Sequence, residues 1–415
     1  MSFEEVAVVG SGKMGSAIFR LLLHTPFRLN LVAINHEEAK RHQKRFLKGI
    51  DRALKAGRVD AADAERQRNR VRFTDCLEDI AESDLVIEAV FEDHSVKKKL
   101  FQQMETILAP TAVMVSNTSS LSLEELAKSL KHRERFCGLH FFHPVMLIDL
   151  VEIIRCDDTP SDLLERLRWF AAKIGRKVIV ARDAPGSVVN CVLSHYYVEA
   201  LYILEEGLAL PSRVDEIARR FFYVGPCESI DVIGVEFLVA ALCKALTMKD
   251  LPPAAWVMGG SLAELPPEET NGRLGFHIPS LFAKLIREKR FGKKASRGLY
   301  LYENDLPSDD LQDFYVNPEL KSSGSIEGAD TGSLESRLLY SVFAGAIYCL
   351  RNGMSSLEDI DLGIKEVLLM EEGPFTMMRH IGQQRLEDVF TLLTGTCGKR
   401  FEMFDLEFLR ANRSE

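Results

Sequence analysis

Val6-Ala-Val-Val9-Gly10-Ser-Gly12-Lys13-Met14-Gly15, followed by Ala17, Ile18, Leu21 and Leu22 at helical spacing, reads as a strand running into a glycine turn and then a helix. In such a turn the first glycine permits the bend, the second lets the backbone approach a pyrophosphate, and the third allows close helix–strand contact. The phosphates then lie at the helix amino end, where backbone N–H groups are free. Three glycines alone are a weak signal, but the strand before them and the helix after them make Gly10, Gly12, Lys13, Met14 and Gly15 candidate dinucleotide contacts. A second apolar run, 29–34, ends at Asn35, the separation from the last glycine that one βαβ unit requires. An NAD site usually has a carboxylate at this place; Asn35 can accept a ribose hydrogen bond but adds no repulsion toward a 2′-phosphate. NAD is therefore expected, with NADP left open.

Working outward, further apolar runs at 85–90, 112–115, 136–139, 150–154 and 178–180 alternate with helical patterns at 96–108, 123–130 and 163–172. Strands alternating with helices predict an α/β, Rossmann-type doubly wound sheet. After Asp183-Ala-Pro185-Gly186 the pattern becomes helical, as in 188–208 and 236–248, so all-α domains are expected to follow. Residues 303–332 are rich in Asp, Pro, Ser and Gly and read as a linker. Beyond them Gly186, Leu193, Ala200, Tyr202 and Asp215 recur at an offset of 146 as Gly332, Leu339, Ala346, Tyr348 and Asp361. Gly225-Pro226 recurs as Gly373-Pro374, two residues later than that offset. The expected organisation is a dinucleotide-binding domain at 1–183, a helical domain at 184–302, the linker at 303–332, and a degenerate second helical repeat at 333–415. Two helical copies that cover each other favour a monomer with an internal pseudo-dimer.

Composition narrows the function. The 415 residues are 46% hydrophobic and 27% charged, an ordinary globular balance, and the formal charge of −9 argues against general nucleic-acid or anionic-membrane affinity. The eight scattered cysteines form no Cys-x-x-Cys pair, which suits a reducing compartment. With no membrane-length apolar run and no signal peptide, a cytoplasmic location is expected. Against the acidic background, Arg41, Arg45, Lys48, Arg52 and Lys55 share one helical face, as either a solvated face or a phosphate-binding stripe. Cys137, His140 and His143 are three apart, but in an extended segment such residues point to opposite sides, so no metal site is expected.

His140 ends one apolar run and Glu152 lies inside the next, Leu150-Val-Glu-Ile-Ile154. A carboxylate embedded in an apolar strand needs a partner, and a histidine on a neighbouring strand supplies one. Such a pair orients the imidazole and stabilises its cation, as a general base requires; a core ion pair is the equally open structural alternative.

Several blocks then coincide: the glycine turn, Ile87-Glu88-Ala-Val-Phe-Glu92 with Lys97, Ser116-Asn-Thr-Ser119-Ser120, Gly138-Leu-His140-Phe-Phe-His143-Pro144, Leu150-Val-Glu152, Pro185-Gly186 leading to Asn190, and Phe291-Gly-Lys-Lys294 … Gly298-Leu-Tyr300. Their order and spacing resemble the L-3-hydroxyacyl-CoA dehydrogenase family, and the duplicated helical part resembles the dehydrogenase half of the multifunctional fatty-acid oxidation enzymes. The resemblance implies NAD-dependent interconversion of 3-hydroxyacyl and 3-oxoacyl thioesters in fatty-acid metabolism, with acyl-CoA as substrate. It implies that His140 is the base, Glu152 its orienting partner, and Ser119 and Asn190 contacts to the substrate oxygen or thioester. Glu92, Lys97, Ser119, His143 and Lys294 would be cofactor-side contacts, and the basic helix face would lie near coenzyme A. This chain departs from the family in having His143 for the usual Asn, Ser187 for a Phe, and Cys191 for an Arg, while the second repeat has Ser336 where the first has Asn190. An acyl-carrier-protein thioester and a non-catalytic nucleotide- or acyl-binding homologue are the competing readings.

Overall fold

The computed structural model describes residues 3–184, 186–247, 278–317, 331–402 and 406. They fall into two compact units, Met1–Ala184 and Pro185–Glu415.

The first unit is built on β1 (Glu5–Val9), β2 (Arg28–Val32), β3 (Val71–Thr74), β4 (Leu85–Glu88), β5 (Val113–Ser116), β6 (Phe136–Phe141), β7 (Leu150–Arg155) and β8 (Lys177–Arg182). They form one sheet in the order β3-β2-β1-β4-β5-β6-β7-β8. Neighbouring strands are parallel except β6 and β7, which are antiparallel. Helices α1 (Lys13–Leu22), α2 (His36–Lys55), α3 (Ala61–Asn69), α4 (His94–Ile107), α5 (Leu123–Ala127) and α6 (Ser161–Lys173) connect them. This is the doubly wound Rossmann-type sheet that the alternation predicts. Strand β3 escaped the sequence reading because Val71-Arg-Phe-Thr74 is short, and its Arg72 and Thr74 break any apolar run.

Side chains alternate across a strand, so each strand residue is assigned to a face. Ile87, Val115, Cys137, Leu139 and Ile153 pack with Ile18 of α1 and Phe170 of α6 in one core. Fully burying such a side chain stabilises by about 1.5–3 kcal/mol, which is why strands covered on both faces read as continuous apolar runs. By the same alternation Glu88, Ser116, His140 and Glu152 all lie on the opposite face. Four chemically active polar groups, one on each of the adjacent strands β4 to β7, are where chemistry is to be sought.

The second unit contains α7 (Val188–Glu205), α8 (Pro211–Ala218), α9 (Pro226–Ile233), α10 (Val235–Thr247), α11 (Ser280–Arg287), a hairpin of β9 (Leu301–Glu303) and β10 (Leu306–Ser308), α12 (Gln312–Tyr315), α13 (Thr331–Arg351), α14 (Leu357–Leu368), α15 (Pro374–Ile381) and α16 (Gln383–Cys397). Helix α7 is buried on almost every side and packs along α13. Their register is locked by charge: Arg337 Nε lies 2.5 Å from Glu199 Oε1, and Arg400 Nε lies 2.7 Å from Glu199 Oε2. Glu199 is buried, so removing either cation would leave a charge inadequately paired away from water.

Asp215 of α8 accepts from the Cys227 and Glu228 N–H groups at the start of α9, at 2.8 and 2.9 Å. Asp361 of α14 accepts in the same way from the Phe375 and Thr376 N–H groups at the start of α15, at 2.6 and 3.0 Å. In both places the preceding residue is glycine because a Cβ would strike the acid: 2.2 Å from Asp215 Cγ at Gly225, and 2.4 Å from Asp361 Cγ at Gly373. These are positions that the internal repeat aligns.

Residues 303–317, read above as part of a linker, hold packed elements instead. Tyr315 is buried, and Arg290 Nη1 pairs with Asp310 Oδ2 at 2.6 Å. The Asp, Pro and Ser residues here form turns and caps rather than an unpacked chain. Residues 318–330 and Met248, also covered by the sequence reading, lie outside the described residues.

Burial pushes the Asp215 carboxyl up to about 6, because hydrogen bonds from Cys227, Tyr300 and Glu228 offset the loss of water only in part. The folded state thus holds this proton more tightly than the unfolded chain. The resulting stabilisation is complete below the ordinary aspartate range, near pH 4, and is lost as pH rises through about 6. Two pH units of this kind correspond to about 3 kcal/mol. In urea unfolding, the stability of Asp215→Asn relative to the parent is expected to rise by about that amount between pH 4 and pH 7. A difference that does not change with pH contradicts this.

Candidate active site

At the carboxyl edge of the sheet the strand order reverses between β1 and β4, the place where such sheets leave a crevice for a ligand. The three glycines there do three different jobs. Gly10 has φ +108°, and a Cβ on it would lie 2.5 Å from the Ala89 carbonyl oxygen. A Cβ on Gly15 would lie 1.8 Å from the Gly10 carbonyl oxygen. Nothing stands near Gly12, which caps α1 without any side-chain hydrogen bond. An open glycine at a helix amino end without a side-chain cap bond, with Lys13 and Met14 opening the helix, fits a dinucleotide pyrophosphate.

The Asn35 side-chain oxygen accepts from the Glu38 N–H at 3.0 Å and so caps α2. Its amide N–H groups are what it can present to a ribose. Glu37 in the first turn of α2 supplies nearby the negative charge that Asn35 itself lacks, while Glu38 pairs with Arg41. His143 is exposed, within electrostatic reach of Lys13; loss of water and that cation hold its imidazole below the ordinary histidine range.

In the antiparallel β6–β7 pair, His140 stands directly opposite Glu152. His140 Nδ1 is 3.2 Å from Glu152 Oε2, with Glu152 fully buried and His140 nearly so. A carboxylate accepts, so Nδ1 carries the proton and the Nε2 lone pair is left to act as a base. The Phe142 ring meets the imidazole edge to face, with centroids 4.6 Å apart. Asn117 secures the end of β6: its Oδ1 accepts from the Phe141 N–H at 2.9 Å, and its own N–H donates to the Glu88 carbonyl at 2.8 Å. Sequence reasoning gave Asn117 no role, although it sits inside a quoted motif.

Beside this pair runs the turn 116–121. Ser116 Oγ donates to Glu88 Oε2 at 2.5 Å, while Thr118 Oγ1 and Ser120 Oγ both donate to Glu92 Oε1. The hydroxyl of half-buried Ser119, between them, has no hydrogen-bond partner among the described residues. Lys97, expected as a cofactor-side contact, is buried, its ammonium 2.7 Å from Glu88 Oε1 and 3.1 Å from Glu92 Oε2.

The other expected site residues belong to the second unit. Asn190 is half-buried in the first turn of α7, and its N–H donates to the capping Ser187 Oγ at 3.3 Å. Lys294 forms an ion pair with Glu236.

The chain matches the 3-hydroxyacyl-CoA dehydrogenase NAD binding domain over residues 5–184 and the 3-hydroxyacyl-CoA dehydrogenase C-terminal domain over residues 186–302. It belongs to the 3-hydroxyacyl-CoA dehydrogenase family. It is 30% identical over 305 residues to a 3-hydroxybutyryl-CoA dehydrogenase of Mycobacterium tuberculosis, covering 72% of this chain and 99% of that one. The crystal structure of an Escherichia coli 3-hydroxybutyryl-CoA dehydrogenase superposes with a TM-score of 0.79 at 24% identity, covering 99% of this chain and 98% of the other. The dehydrogenase part of Caenorhabditis elegans multifunctional enzyme 1 shares the fold with a TM-score of 0.64 at 22% identity, over 99% of this chain and 90% of that one.

As a member of the 3-hydroxyacyl-CoA dehydrogenase family the chain is an NAD-binding oxidoreductase, and two of its departures now have local causes. Ser187 is the N-cap of α7, so the hydroxyl that replaces an aromatic ring secures the helix carrying Asn190. Cys191 is buried, a place suited to a small side chain rather than a cation. On α2 of this dehydrogenase, Arg41, Arg45, Lys48, Arg52 and Lys55 are all exposed, and Arg41 pairs with Glu38 at 2.5 Å. Cys137 points into the core while His140 lies on the other face of β6; among the described residues no group of His, Cys, Asp or Glu is gathered for a metal. No described helix is long and apolar enough to cross a membrane.

Proposed function

We propose that this dehydrogenase interconverts (S)-3-hydroxyacyl-CoA and 3-oxoacyl-CoA with NAD(H), using His140 as general base and acid. The observation that carries the reading is the buried hydrogen bond from His140 Nδ1 to Glu152. In the oxidative direction Nε2 takes the proton of the 3-hydroxyl as the C3–H bond breaks and its electron pair leaves as hydride. The nicotinamide, when bound, supplies the hydride acceptor. Glu152 keeps the imidazole turned and stabilises the imidazolium that forms. Ser119, whose hydroxyl is otherwise uncommitted, donates to the substrate oxygen, and Asn190 holds the thioester region, fixing C3 for transfer. The cationic face of α2 receives the coenzyme A phosphates. Glu37, next but one to Asn35 in the first turn of α2, disfavours a 2′-phosphate, which supports NAD over NADP.

The test is absorbance at 340 nm. Purified protein with acetoacetyl-CoA is expected to consume NADH, and NADPH at least tenfold less efficiently. Consumption of neither, with coenzyme A or carrier-protein thioesters, contradicts enzyme activity, and turnover confined to carrier-protein thioesters contradicts the coenzyme A assignment. We further propose that α13–α16 duplicate the α7–α9 region and cover the surface that a single-copy relative would bury by dimerising. Light scattering is then expected to give a monomer of 46.7 kDa, and a stable dimer contradicts it.

A further inference from the structure

Glu88 and Lys97 form an ion pair with almost no exposure to water, on the same covered sheet face as His140. Every N–H of the ammonium can be accounted for: Glu88 Oε1 at 2.7 Å, Glu88 Oε2 at 3.0 Å and Glu92 Oε2 at 3.1 Å. Glu88 is equally occupied, since it also accepts from the Val90 N–H at 2.7 Å and from Ser116 Oγ at 2.5 Å. A buried ion pair is seldom more stabilising than well-packed apolar residues of the same volume, so stability alone gives a weak reason for it here.

The network has a direction. From Glu88 it runs through Lys97 to Glu92, whose other oxygen accepts from Thr118 Oγ1 and Ser120 Oγ. From Glu88 it also runs through Ser116 Oγ, which accepts from the Thr118 N–H at 3.2 Å. The first route ends on both residues flanking Ser119, and the second on Thr118. Burial disfavours charge on Glu92, but Lys97 and the two hydroxyls outweigh it and hold that carboxyl below its usual range, so it accepts from both hydroxyls as an anion. Thr118 Oγ1 in turn accepts from the Ser120 and Leu121 N–H groups, at 3.3 and 3.0 Å, closing the turn.

We infer that Glu88 is a positioning residue for the reaction: through Lys97 and Glu92, and directly through Ser116, it fixes the Thr118–Ser120 turn so that the Ser119 hydroxyl alone faces the substrate oxygen. This rests on the proposed role of Ser119, and the test separates the two claims. Glu88→Gln keeps the shape but removes the charge that holds Lys97. It is expected to lower kcat about tenfold or more, with the Kd of NADH, followed by its fluorescence, within about twofold of the parent. Ser119→Ala is expected to lower kcat by a similar factor, and the double variant Glu88→Gln/Ser119→Ala to be little slower than Ser119→Ala alone.

Normal turnover by Ser119→Ala overturns the reading of Ser119. A slow Ser119→Ala whose loss multiplies in full with that of Glu88→Gln overturns the positioning role and leaves Ser119 standing. Should Glu88→Gln fail to fold, Glu88→Gln/Lys97→Met makes the pair neutral. Positioning requires that variant to regain the parent melting temperature yet stay slow at saturating NADH; recovery of kcat along with stability shows a purely structural pair.

Discussion

His140→Ala is expected to lower kcat by about 10³- to 10⁴-fold while NADH binds within about threefold of the parent affinity. The imidazole is placed to act on a hydroxyl proton, and nothing in the glycine turn depends on it. Gly10 rests on Ala89 and Gly15 on Gly10, both on the β1–β4 side of the sheet. The fold should also tolerate the change, because β6 is held by its ladders on both sides and by Asn117 at its end. Steady-state kinetics with acetoacetyl-CoA, alongside fluorescence titration of NADH, provide the check. A parallel loss of nucleotide binding would make His140 a structural residue.

Glu152→Gln is expected to lower kcat by about 10²- to 10³-fold, less than loss of the imidazole itself. The glutamine oxygen can still accept from Nδ1, so the tautomer survives, but the negative charge that stabilises the imidazolium is gone. In a serine-protease triad the corresponding neutral substitution also reverses the tautomer and costs about 10⁴, which sets an upper bound. Because Glu152 is fully buried and the variant removes a charge from an apolar surrounding, the melting temperature should not fall much. Thermal unfolding of the variant beside its kcat separates the two effects: loss of stability with unchanged kcat would assign Glu152 to the core alone.

The glycine turn was legible because its three glycines sit at fixed spacing between an apolar run and a helical pattern, although the contact that forces Gly10, with Ala89, is distant in sequence. The His140–Glu152 pair was legible for a different reason: Glu152 interrupts an apolar strand, and a buried carboxylate must find a partner nearby. That the two stand in direct register follows from the antiparallel turn between β6 and β7, which the sequence pattern does not announce. Glu88 and Lys97 were visible as parts of a motif, but not as partners of one another. Lys97 lies on a helix, and a lysine four residues into a helix reads as solvent-facing unless the sheet beneath it is known to carry an acid. Likewise Ser119 stood out from Thr118 and Ser120 only by the family resemblance; the geometry adds that Glu92 takes the outer two. Residues 303–317 misled by composition, since the Asp, Pro and Ser that mark linkers also build hairpins and caps.

The central claim is that one imidazole and one carboxylate act as a unit, and a kinetic double-mutant cycle between His140→Ala and Glu152→Gln tests it most directly. With the imidazole gone, the carboxylate has nothing to orient or stabilise. The double variant is therefore expected to turn over acetoacetyl-CoA within about threefold of His140→Ala alone. A double variant slower than His140→Ala by the full factor that Glu152→Gln shows in the parent would mean that the two residues act independently.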